Sequence, residues 1–322
     1  ALRRQTSAED RDVELADLNG DGKLDAVVTH LGSVDAITIH PGNGDKTFGT
    51  AITLAGLGDE PYDAVVANLN GDTLPDIAVV VGNADKVMVF LNTSSGGAIS
   101  FAAPATVTVG DEPIKIAAGD FNGDNFLDLA VTNRGTNTTT GRYVSILTND
   151  QAGGFTETKL GNTLDPRVKP WGLAVADFNG DGKADIAAGD MDNGKRAVLW
   201  LGNGGGSFGA PSFAPLPGGQ DPSGLAAADF DGDGKTDLAV VAYYSGNEFA
   251  VLAGNGDGSF GARTAFPLGN SYYYNDFLRT ADVTGDGKPD LLLGSNSNFA
   301  IATNRSGAML GFDAISRNLA RV

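Results

Sequence analysis

The sequence predicts an all-β fold, a β-propeller of four-stranded antiparallel blades, on three observations. An acidic loop of nine residues recurs six times, beginning at positions 17, 68, 120, 177, 229 and 282. The period of about 52 residues is too long for helical ankyrin or tetratricopeptide repeats and suits one propeller blade. A Gly-rich turn followed by phenylalanine keeps the same period, at Phe48, Phe101, Phe155, Phe208, Phe260 and Phe312. We therefore expect residues 1–322 to form a single β-propeller domain.

The fifth repeat, residues 223–268, shows the four expected strands most clearly. Short apolar runs at 225–228 and 238–242 flank its acidic loop, a third run covers 249–252, and an outer strand begins at Phe260. Each run is bounded by Gly, Asn or Asp, the residues that end strands and form turns. The other five repeats can be aligned with this one, so we expect six blades of the same kind.

Composition excludes several classes of partner. The net charge of −18 argues against a nucleic-acid partner, because phosphates would be repelled. No apolar run approaches the roughly 18 residues that a membrane-spanning helix needs, so we expect no membrane insertion. The chain has no cysteine, and therefore neither disulfides nor thiol chemistry. Many of its acidic residues fall in the six loops, where bound cations would offset their charge.

The loop from Asp229 to Asp237 has the pattern of a calcium site. It reads Asp-Phe-Asp-Gly-Asp-Gly-Lys-Thr-Asp, so positions 1, 3, 5 and 9 carry side-chain oxygens. Calcium takes about six to eight oxygen ligands, and the backbone carbonyl of position 7 could supply another. Glycines at positions 4 and 6 permit the tight turn. Apolar strands rather than helices flank the loop, which distinguishes it from an EF-hand.

The loops and the run Phe208-Gly209-Ala210-Pro211 together resemble the FG-GAP or VCBS repeat. That repeat occurs in integrin α-subunit propellers, bacterial surface proteins and some lectins, and the resemblance covers nearly the whole chain. It implies a calcium-bearing β-propeller with five to six Ca²⁺ ions, held between the first and second strands of the blades. The metal ligands that it implies are Asp17, Asn19, Asp21, Asp25, Asp120, Asn122, Asp124, Asp128, Asp177, Asn179, Asp181, Asp185, Asp229, Asp231, Asp233, Asp237, Asp282, Thr284, Asp286 and Asp290.

The second loop, residues 68–76, departs from this pattern. Asn68 replaces the aspartate of position 1 and Thr73 replaces the glycine of position 6. The site formed with Asn70, Asp72 and Asp76 is therefore expected to be the weakest. The loop with four carboxylates, residues 229–237, is expected to bind most tightly, because affinity follows ligand charge.

A turn without metal is the alternative for every loop. Asp, Asn and Gly are also the residues that tight hairpin turns use. A turn alone does not require the aspartate of position 9, which lies at the start of the next strand. Five loops that keep four oxygen positions in register therefore favour metal, and we assign it a structural role.

The number of blades has two interpretations. The resembling family usually closes its propeller with seven blades, whereas six repeats are counted here. Residues 2–6 lie where the outer strand of a preceding blade would be. Either six blades carry an extra N-terminal strand, or a seventh blade is incomplete or missing.

A cluster of tyrosines predicts a ligand-binding surface opposite the calcium loops. Tyr243 and Tyr244 lie in a loop between second and third strands, and residues 272–274, three further tyrosines, lie in the next connection between blades. Aromatic rings could stack on sugars or pack against a protein. The alternative is that they fill gaps between blades. The candidate ligand-binding residues are Tyr243, Tyr244, Tyr272, Tyr273, Tyr274 and Trp171.

Catalytic residues are not evident. The only histidines are His30 and His40, and no Ser-His-Asp order, phosphate-binding loop or zinc spacing is found. We assign no catalytic residue. Because carboxylates are abundant, a polysaccharide-acting lyase or hydrolase, or its accessory domain, is the alternative function.

These observations predict a secreted or cell-surface module. Calcium is available at millimolar level outside cells, where weak calcium sites can be filled. We expect a lectin-like recognition or cell-adhesion module that binds a carbohydrate or an extracellular protein. Possible glycosylation sequons begin at Asn92, Asn137 and Asn304 and would matter in a eukaryotic source.

Overall fold

The fold of the chain is all-β, as the repeats predict. The structure is a computed structural model. It describes residues 9–31, 35–54, 56–58, 60–135, 141–160, 168–192, 195–216, 221–243, 248–267, 277–294, 299–306 and 310–317. Its strands form six four-stranded antiparallel sheets, which we number as blades 1 to 6 in chain order. This confirms the β-propeller fold class with six blades. Residues 2–6, the possible extra strand, lie outside the described residues.

The chain divides into two compact units. The first comprises Ala1–Asp120 and Asp124–Leu160, and the second comprises Phe121–Gly123 and Gly161–Val322. Blades 1 to 3 belong to the first unit and blades 4 to 6 to the second. That the whole chain is one domain stays a prediction.

Three blades with the same strand order make up the first unit, which also contains one 3₁₀ turn, Gly82–Ala84. The strands of blade 1 are β1 (Glu9–Ala16), β2 (Asp25–Leu31), β3 (Ala36–His40) and β4 (Ile52–Leu54). Those of blade 2 are β5 (Pro61–Ala67), β6 (Asp76–Val81), β7 (Lys86–Phe90) and β8 (Ala105–Thr108). Those of blade 3 are β9 (Pro113–Gly119), β10 (Asp128–Asn133), β11 (Tyr143–Asn149) and β12 (Phe155–Leu160).

The second unit repeats this arrangement, with a small two-stranded ribbon added in blade 4. The strands of blade 4 are β13 (Pro170–Ala176), β14 (Asp185–Asp190), β15 (Arg196–Trp200) and β18 (Ser212–Pro215), and β16 (Gly202–Gly204) with β17 (Ser207–Phe208) forms the ribbon. Those of blade 5 are β19 (Asp221–Ala228), β20 (Asp237–Tyr243), β21 (Glu248–Gly254) and β22 (Phe260–Pro267). Those of blade 6 are β23 (Phe277–Ala281), β24 (Asp290–Gly294), β25 (Phe299–Asn304) and β26 (Phe312–Arg317).

Burial differs between the strands of one blade. The second strands β6, β10 and β14 are buried at every residue, whereas every residue of the outer strands β8 and β12 is exposed or half-buried. A strand that is covered on both faces reads as a continuous apolar run, which explains the Ala/Val/Leu-rich segments after each acidic loop. The four strands predicted in blade 5 are all present, and each is somewhat longer than the apolar run that indicated it.

The pairing of first and second strands is bulged in blades 1 to 5, and residues near these bulges contact the next blade. In the first unit, Asp12 accepts a hydrogen bond from the backbone N–H of Ala64 at 3.3 Å. Asp63 accepts one from Ile116 at 2.9 Å and pairs with Lys115 at 3.2 Å. All three charged side chains that form these contacts are buried. Buried carboxylates are tolerated here because each one is hydrogen-bonded across the blades.

The second residue of an acidic loop is covered by the following blade. In the first unit, Leu18 shares a core cluster with Phe101 of blade 2, and Leu69 shares one with Phe155 of blade 3. In the second unit, the ring of Phe230 lies 5.8 Å from that of Phe312, centroid to centroid. The Gly-Phe turn of one blade therefore packs on the acidic loop before it. Val283, the corresponding residue of the sixth loop, is 47% exposed.

Removing one of these covered side chains should destabilise the fold. We expect Phe230→Ala to lower the free energy of unfolding by about 3–5 kcal/mol, because it leaves a cavity against Phe312. Val283→Ala, at the same loop position but exposed, should change it by no more than about 0.5 kcal/mol. Urea denaturation of both variants measures the difference, and equal effects would contradict the packing described above.

Candidate functional site

Each acidic loop connects the first strand of its blade to the second. Position 9 is the first residue of the second strand in all six blades, at Asp25, Asp76, Asp128, Asp185, Asp237 and Asp290. The loops therefore lie between the first and second strands, where the sequence predicts them. Because all six connect equivalent strands, one geometry recurs along the chain.

The carboxylate of position 9 is buried and joins two parts of its blade. In blade 5, Asp237 accepts hydrogen bonds from the backbone N–H of Phe230 and of Gly254, both at 2.8 Å. Phe230 is position 2 of the loop, and Gly254 ends the third strand. The same pair of bonds occurs in blades 1, 2, 4 and 6. Position 9 therefore fastens the loop to the third strand, a role that turn chemistry alone would not require.

The carboxylate of position 1 organises the loop interior. Asp229 accepts backbone N–H groups from Gly232 at 2.7 Å, Asp233 at 3.1 Å and Gly234 at 2.8 Å. Both glycines have positive φ, 78° and 84°, which other residues rarely adopt. Loops 1, 4 and 6 repeat these three bonds. The backbone therefore wraps around the first carboxylate.

Loop 5 brings three carboxylates together. Among the described residues it is the only group of three His, Cys, Asp or Glu side chains whose possible ligand atoms lie within 4.8 Å of one another, those of Asp229, Asp231 and Asp237. All three donors are hard oxygens, which suit Ca²⁺ and not the softer metals that prefer His or Cys. Asp237 is buried and the other two are half-buried, so a cation there would be partly shielded from water. The residues of loop 5 therefore fit calcium.

Burial raises the pKa of some loop carboxyl groups, and hydrogen bonding lowers the pKa of others. Burial raises the pKa of Asp237, Asp185 and Asp76 above the ordinary value of 3.8. Ionising these buried groups costs free energy, so their contribution to the stability of the fold is lost as the pH rises through the raised pKa. Hydrogen bonds from backbone N–H groups, that of Gly287 first among them, lower the pKa of Asp282. The ionised carboxylate therefore stabilises the fold, and this contribution is lost as the pH falls through the lowered pKa. A cation beside Asp237 would offset the cost of keeping a buried carboxylate charged.

The lysine of position 7 contacts the carboxylate of position 5 in three loops. Lys235 lies 2.8 Å from Asp233, and equivalent pairs join Lys183 to Asp181 and Lys23 to Asp21. These pairs are largely exposed, so each contributes little to stability. They lower the pKa of Asp233 and Asp181, and therefore keep position 5 ionised.

Loops 2 and 3 show how departures from the pattern are accommodated. In loop 2 the amide nitrogen of Asn68 donates to the backbone carbonyl of Asp72, where other loops have only a carboxylate. A donor inside the loop repels a cation, which supports the expectation of a weak site. In loop 3, Asn125 replaces the second glycine, adopts φ of 66° and still donates its N–H to Asp120 at 2.9 Å.

Comparison with known families supports the repeat assignment. Five segments, residues 17–79, 69–131, 132–188, 177–240 and 233–293, match the family described as FG-GAP-like repeat. The chain belongs to this family. A search of curated proteins gives no significant match.

Solved structures share the fold of this FG-GAP-like protein. An Agrocybe aegerita lectin, described as recognising non-reducing terminal N-acetylglucosamine, is 20% identical, with a TM-score of 0.61 over 96% of this chain and 80% of the lectin chain. BBS1N, solved in complex with ARL6DN, is 16% identical in a crystal soaked with lead, with a TM-score of 0.58 over 94% of this chain and 81% of BBS1N. At these identities the likeness shows the fold alone.

The predicted ligand-binding tyrosines of this FG-GAP-like protein are largely beyond the described ranges. Tyr244 and residues 272–274 lie outside them, and Tyr243 ends β20 with a side chain that is not described. Trp171 is the second residue of β13 and is 9% exposed. Its burial favours the alternative in which aromatic residues fill space between blades.

His30 and His40 both contact the hydroxyl of Thr38, at 2.6 and 3.0 Å.

Sequence reasoning missed the buried asparagines at the end of the third strand. Asn92, Asn149 and Asn304 occupy the same place in blades 2, 3 and 6, where the other blades have glycine. Two of them begin sequons, yet their side chains are buried and their amide nitrogens are each bonded to two backbone carbonyls. These two asparagines are therefore inaccessible to glycosylation in the folded protein. Their recurrence at one repeat position was the signal that could have revealed them.

Part of the structural role of position 9 should be independent of metal. We expect Asp237→Asn to lower the free energy of unfolding by about 1–3 kcal/mol in the presence of a chelator, because the new amide faces a backbone N–H and leaves it without an acceptor. Asp233→Asn, at the exposed position 5, should change it by about 0.5 kcal/mol or less. Chemical denaturation in chelator tests this, and a stable Asp237→Asn variant would contradict the fastening role.

The described part of the chain contains no helix with the length and apolar character that crossing a bilayer requires.

Proposed function

We propose that the protein is a calcium-binding, non-catalytic recognition module whose ligand is a carbohydrate. The observation that carries the calcium assignment is the convergence of Asp229, Asp231 and Asp237 within one loop. Asp233 and the backbone carbonyl of Lys235 would complete an oxygen-only ligand set. The bound ion would supply positive charge that orders the loop and offsets repulsion between carboxylates.

The role of calcium in this proposal is structural. The loop fastens to the third strand through Asp237 and is covered by the next blade at Phe230. An ion that orders the loop would therefore stabilise the blade and its contact with the following blade. Loops 1, 3, 4 and 6 offer the same positions with three carboxylates each, and loop 2 is expected to be weakest.

Carbohydrate recognition is supported by the fold that the chain shares with the Agrocybe aegerita lectin. A protein ligand is the second candidate, favoured by the similarity to BBS1N, which was solved in complex with a protein. In both cases the chemistry needed is binding without bond breaking. A secreted or cell-surface location belongs to the same proposal, because several loops of moderate charge need millimolar calcium to be filled.

Calcium should bind at several sites and stabilise the fold. We expect calorimetry to find five to six sites, and the melting temperature to rise in calcium relative to chelator, because a ligand of the folded state stabilises it by about 2.7 kcal/mol at 100 times its Kd. Asp229→Asn combined with Asp231→Asn should remove the tightest site.

The matched control is Asp257→Asn, which changes an exposed turn aspartate of the same blade. It should leave calcium binding at loop 5 unchanged. Fewer than three sites, or no change of melting temperature on adding a chelator, would contradict the calcium assignment.

Ligand recognition should be detected on a glycan array in the presence of calcium. We expect binding to a restricted set of glycans, with those ending in N-acetylglucosamine tested first, and a loss of affinity in Tyr273→Ala because a stacking ring is removed. Circular dichroism must show that the variant is folded. A folded, calcium-loaded protein that binds no glycan would contradict carbohydrate recognition and favour the protein ligand.

A further inference from the structure

In loops 1 to 5 the carbonyl of position 2 accepts a hydrogen bond from outside its own loop. In three cases the donor is the side-chain amide of an asparagine in the following blade. Asn92 donates to Leu18 at 2.9 Å, Asn149 to Leu69 at 2.7 Å and Asn304 to Phe230 at 2.9 Å. Each donor is buried, so water does not compete for these bonds. The acidic loop of one blade is therefore tied to the third strand of the next.

The same amide also contacts the loop of its own blade. Asn304 donates its second hydrogen to the carbonyl of Pro289, position 8 of loop 6, at 3.1 Å. Its backbone N–H donates to Asp290, position 9, at 2.7 Å, and its side-chain oxygen accepts the N–H of Ser306 at 2.8 Å. Both amide hydrogens are therefore used and the side-chain oxygen is satisfied, so the side chain has one defined orientation.

Asn92 and Asn149 make the same set of bonds. Asn92 contacts Pro75 at 2.9 Å and Asn149 contacts Leu127 at 2.9 Å, each the position 8 carbonyl of its own loop. Their backbone N–H groups donate to the position 9 carboxylates of loops 2 and 3. In the first unit these two asparagines thus link loop 1 to loop 2 and loop 2 to loop 3.

Glycine-type blades make the bond to position 2 in a different way. In blade 5 the third strand ends at Gly254, where an added Cβ would lie 2.1 Å from the carbonyl oxygen of Thr236. The donor is instead the backbone N–H of Gly258 in the following turn, which bonds Phe178 of loop 4 at 3.2 Å. Two different donors reach the same acceptor. Because two kinds of donor reach position 2, the recurring feature is the hydrogen bond itself and not only the packing of an asparagine side chain.

The bond lies next to the candidate metal ligands. Phe230 stands between Asp229 and Asp231, positions 1 and 3 of loop 5. Asp237 of the same blade holds its N–H, and Asn304 of the next blade holds its carbonyl. The peptide groups on either side of Phe230 fix the directions in which Asp229 and Asp231 present their carboxylates. Asn304 therefore supports the metal ligands of loop 5 without being a ligand itself.

We propose that Asn304 couples calcium binding at loop 5 to calcium binding at loop 6. This rests on the calcium binding proposed above. An ion that orders either loop also orders the amide, because the amide bonds position 2 of one loop and position 8 of the other. The second ion then meets a loop that is already ordered, which gives positive cooperativity. Asn304 acts as a positioning residue for both sites.

The test compares calcium responses of the full chain with and without the amide. We expect Asn304→Ala to weaken calcium binding at loops 5 and 6 by about tenfold, the scale of losses when a residue that orients a metal ligand is removed. Calorimetry measures the affinities. The increase of melting temperature between chelator and calcium should become smaller than in the wild type.

A purely structural role predicts a different result. Asn304→Ala would then lower the melting temperature equally in calcium and in chelator, and the calcium-dependent increase would stay unchanged. A cycle with Asp229→Asn combined with Asp231→Asn, the pair of changes that should remove the loop 5 site, sharpens the comparison. If the residues are coupled, blocking loop 5 weakens calcium at loop 6 in the wild-type background but not in Asn304→Ala.

Control and rescue variants are available within the chain. Asn255→Ala changes an asparagine one residue after the third strand of blade 5, whose amide bonds only the turn residue Ser259 among the contacts described for it. It should leave the calcium response of loops 5 and 6 unchanged. Asn92→Ala is the second test, should Asn304→Ala fail to fold. Replacing residues 92–100 by the sequence of residues 254–259 should restore the response, because that turn supplies a backbone donor.

The outcomes separate the two proposals. A wild type that binds no calcium overturns the proposed function and the coupling together. A wild type that binds calcium, with an unchanged calcium response in folded Asn304→Ala and Asn92→Ala, overturns the coupling alone. Weakened binding at both loops, with rescue by the glycine-type turn, supports it.

Discussion

The buried aspartate at the start of each second strand is the interaction on which this structure depends. Its two oxygens accept backbone N–H groups from the acidic loop and from the end of the third strand. A carboxylate can satisfy two such donors at once, whereas an amide in the same place would present a donor to a donor. Because this carboxylate fixes position 2 of the loop, it also fixes the surface against which the next blade packs. The blade and its neighbour are therefore linked through one side chain.

The acidic composition has a local explanation. In a loop such as 229–237, carboxylates that would repel one another are held together by backbone N–H groups and by glycines with positive φ. The arrangement offers only oxygen donors, which suits calcium. The position 7 lysines offset part of this charge at the solvent side. The loops thus combine a fixed backbone with a charge that a divalent cation would complete.

The two repeat markers have one physical meaning. The Gly-Phe turn and the acidic loop recur with the same period because the phenylalanine of one blade packs on position 2 of the loop before it, as Phe260 does on Phe178 at 5.7 Å between ring centroids. Neither marker is sufficient alone. Loss of the phenylalanine would expose position 2 of the preceding loop. Loss of the apolar residue at position 2 would leave the phenylalanine without its packing surface, so the contact needs both.

The sequence by itself determined the fold class, the six repeats and the positions of the acidic loops, whereas it left the number of blades open between six and seven. Each of these follows from local patterns, namely apolar runs of strand length, oxygen side chains at alternate loop positions and glycines where the backbone must turn. The repeat also specified position 9 as more than a turn residue, since a turn does not need Asp237.

Only the tertiary structure decided which side chains meet across blades. Asn304 and Phe230 are far apart in sequence, and a single-sequence pattern carries no signal for a bond between an amide and a distant carbonyl. The burial of Trp171 in β13 is similarly decided by packing, whereas the sequence indicated only a candidate ligand-binding residue. The sequence already distinguished loop 5, because it alone has aspartate at position 3; the tertiary structure decided that Asp229, Asp231 and Asp237 are the carboxylates that converge in it.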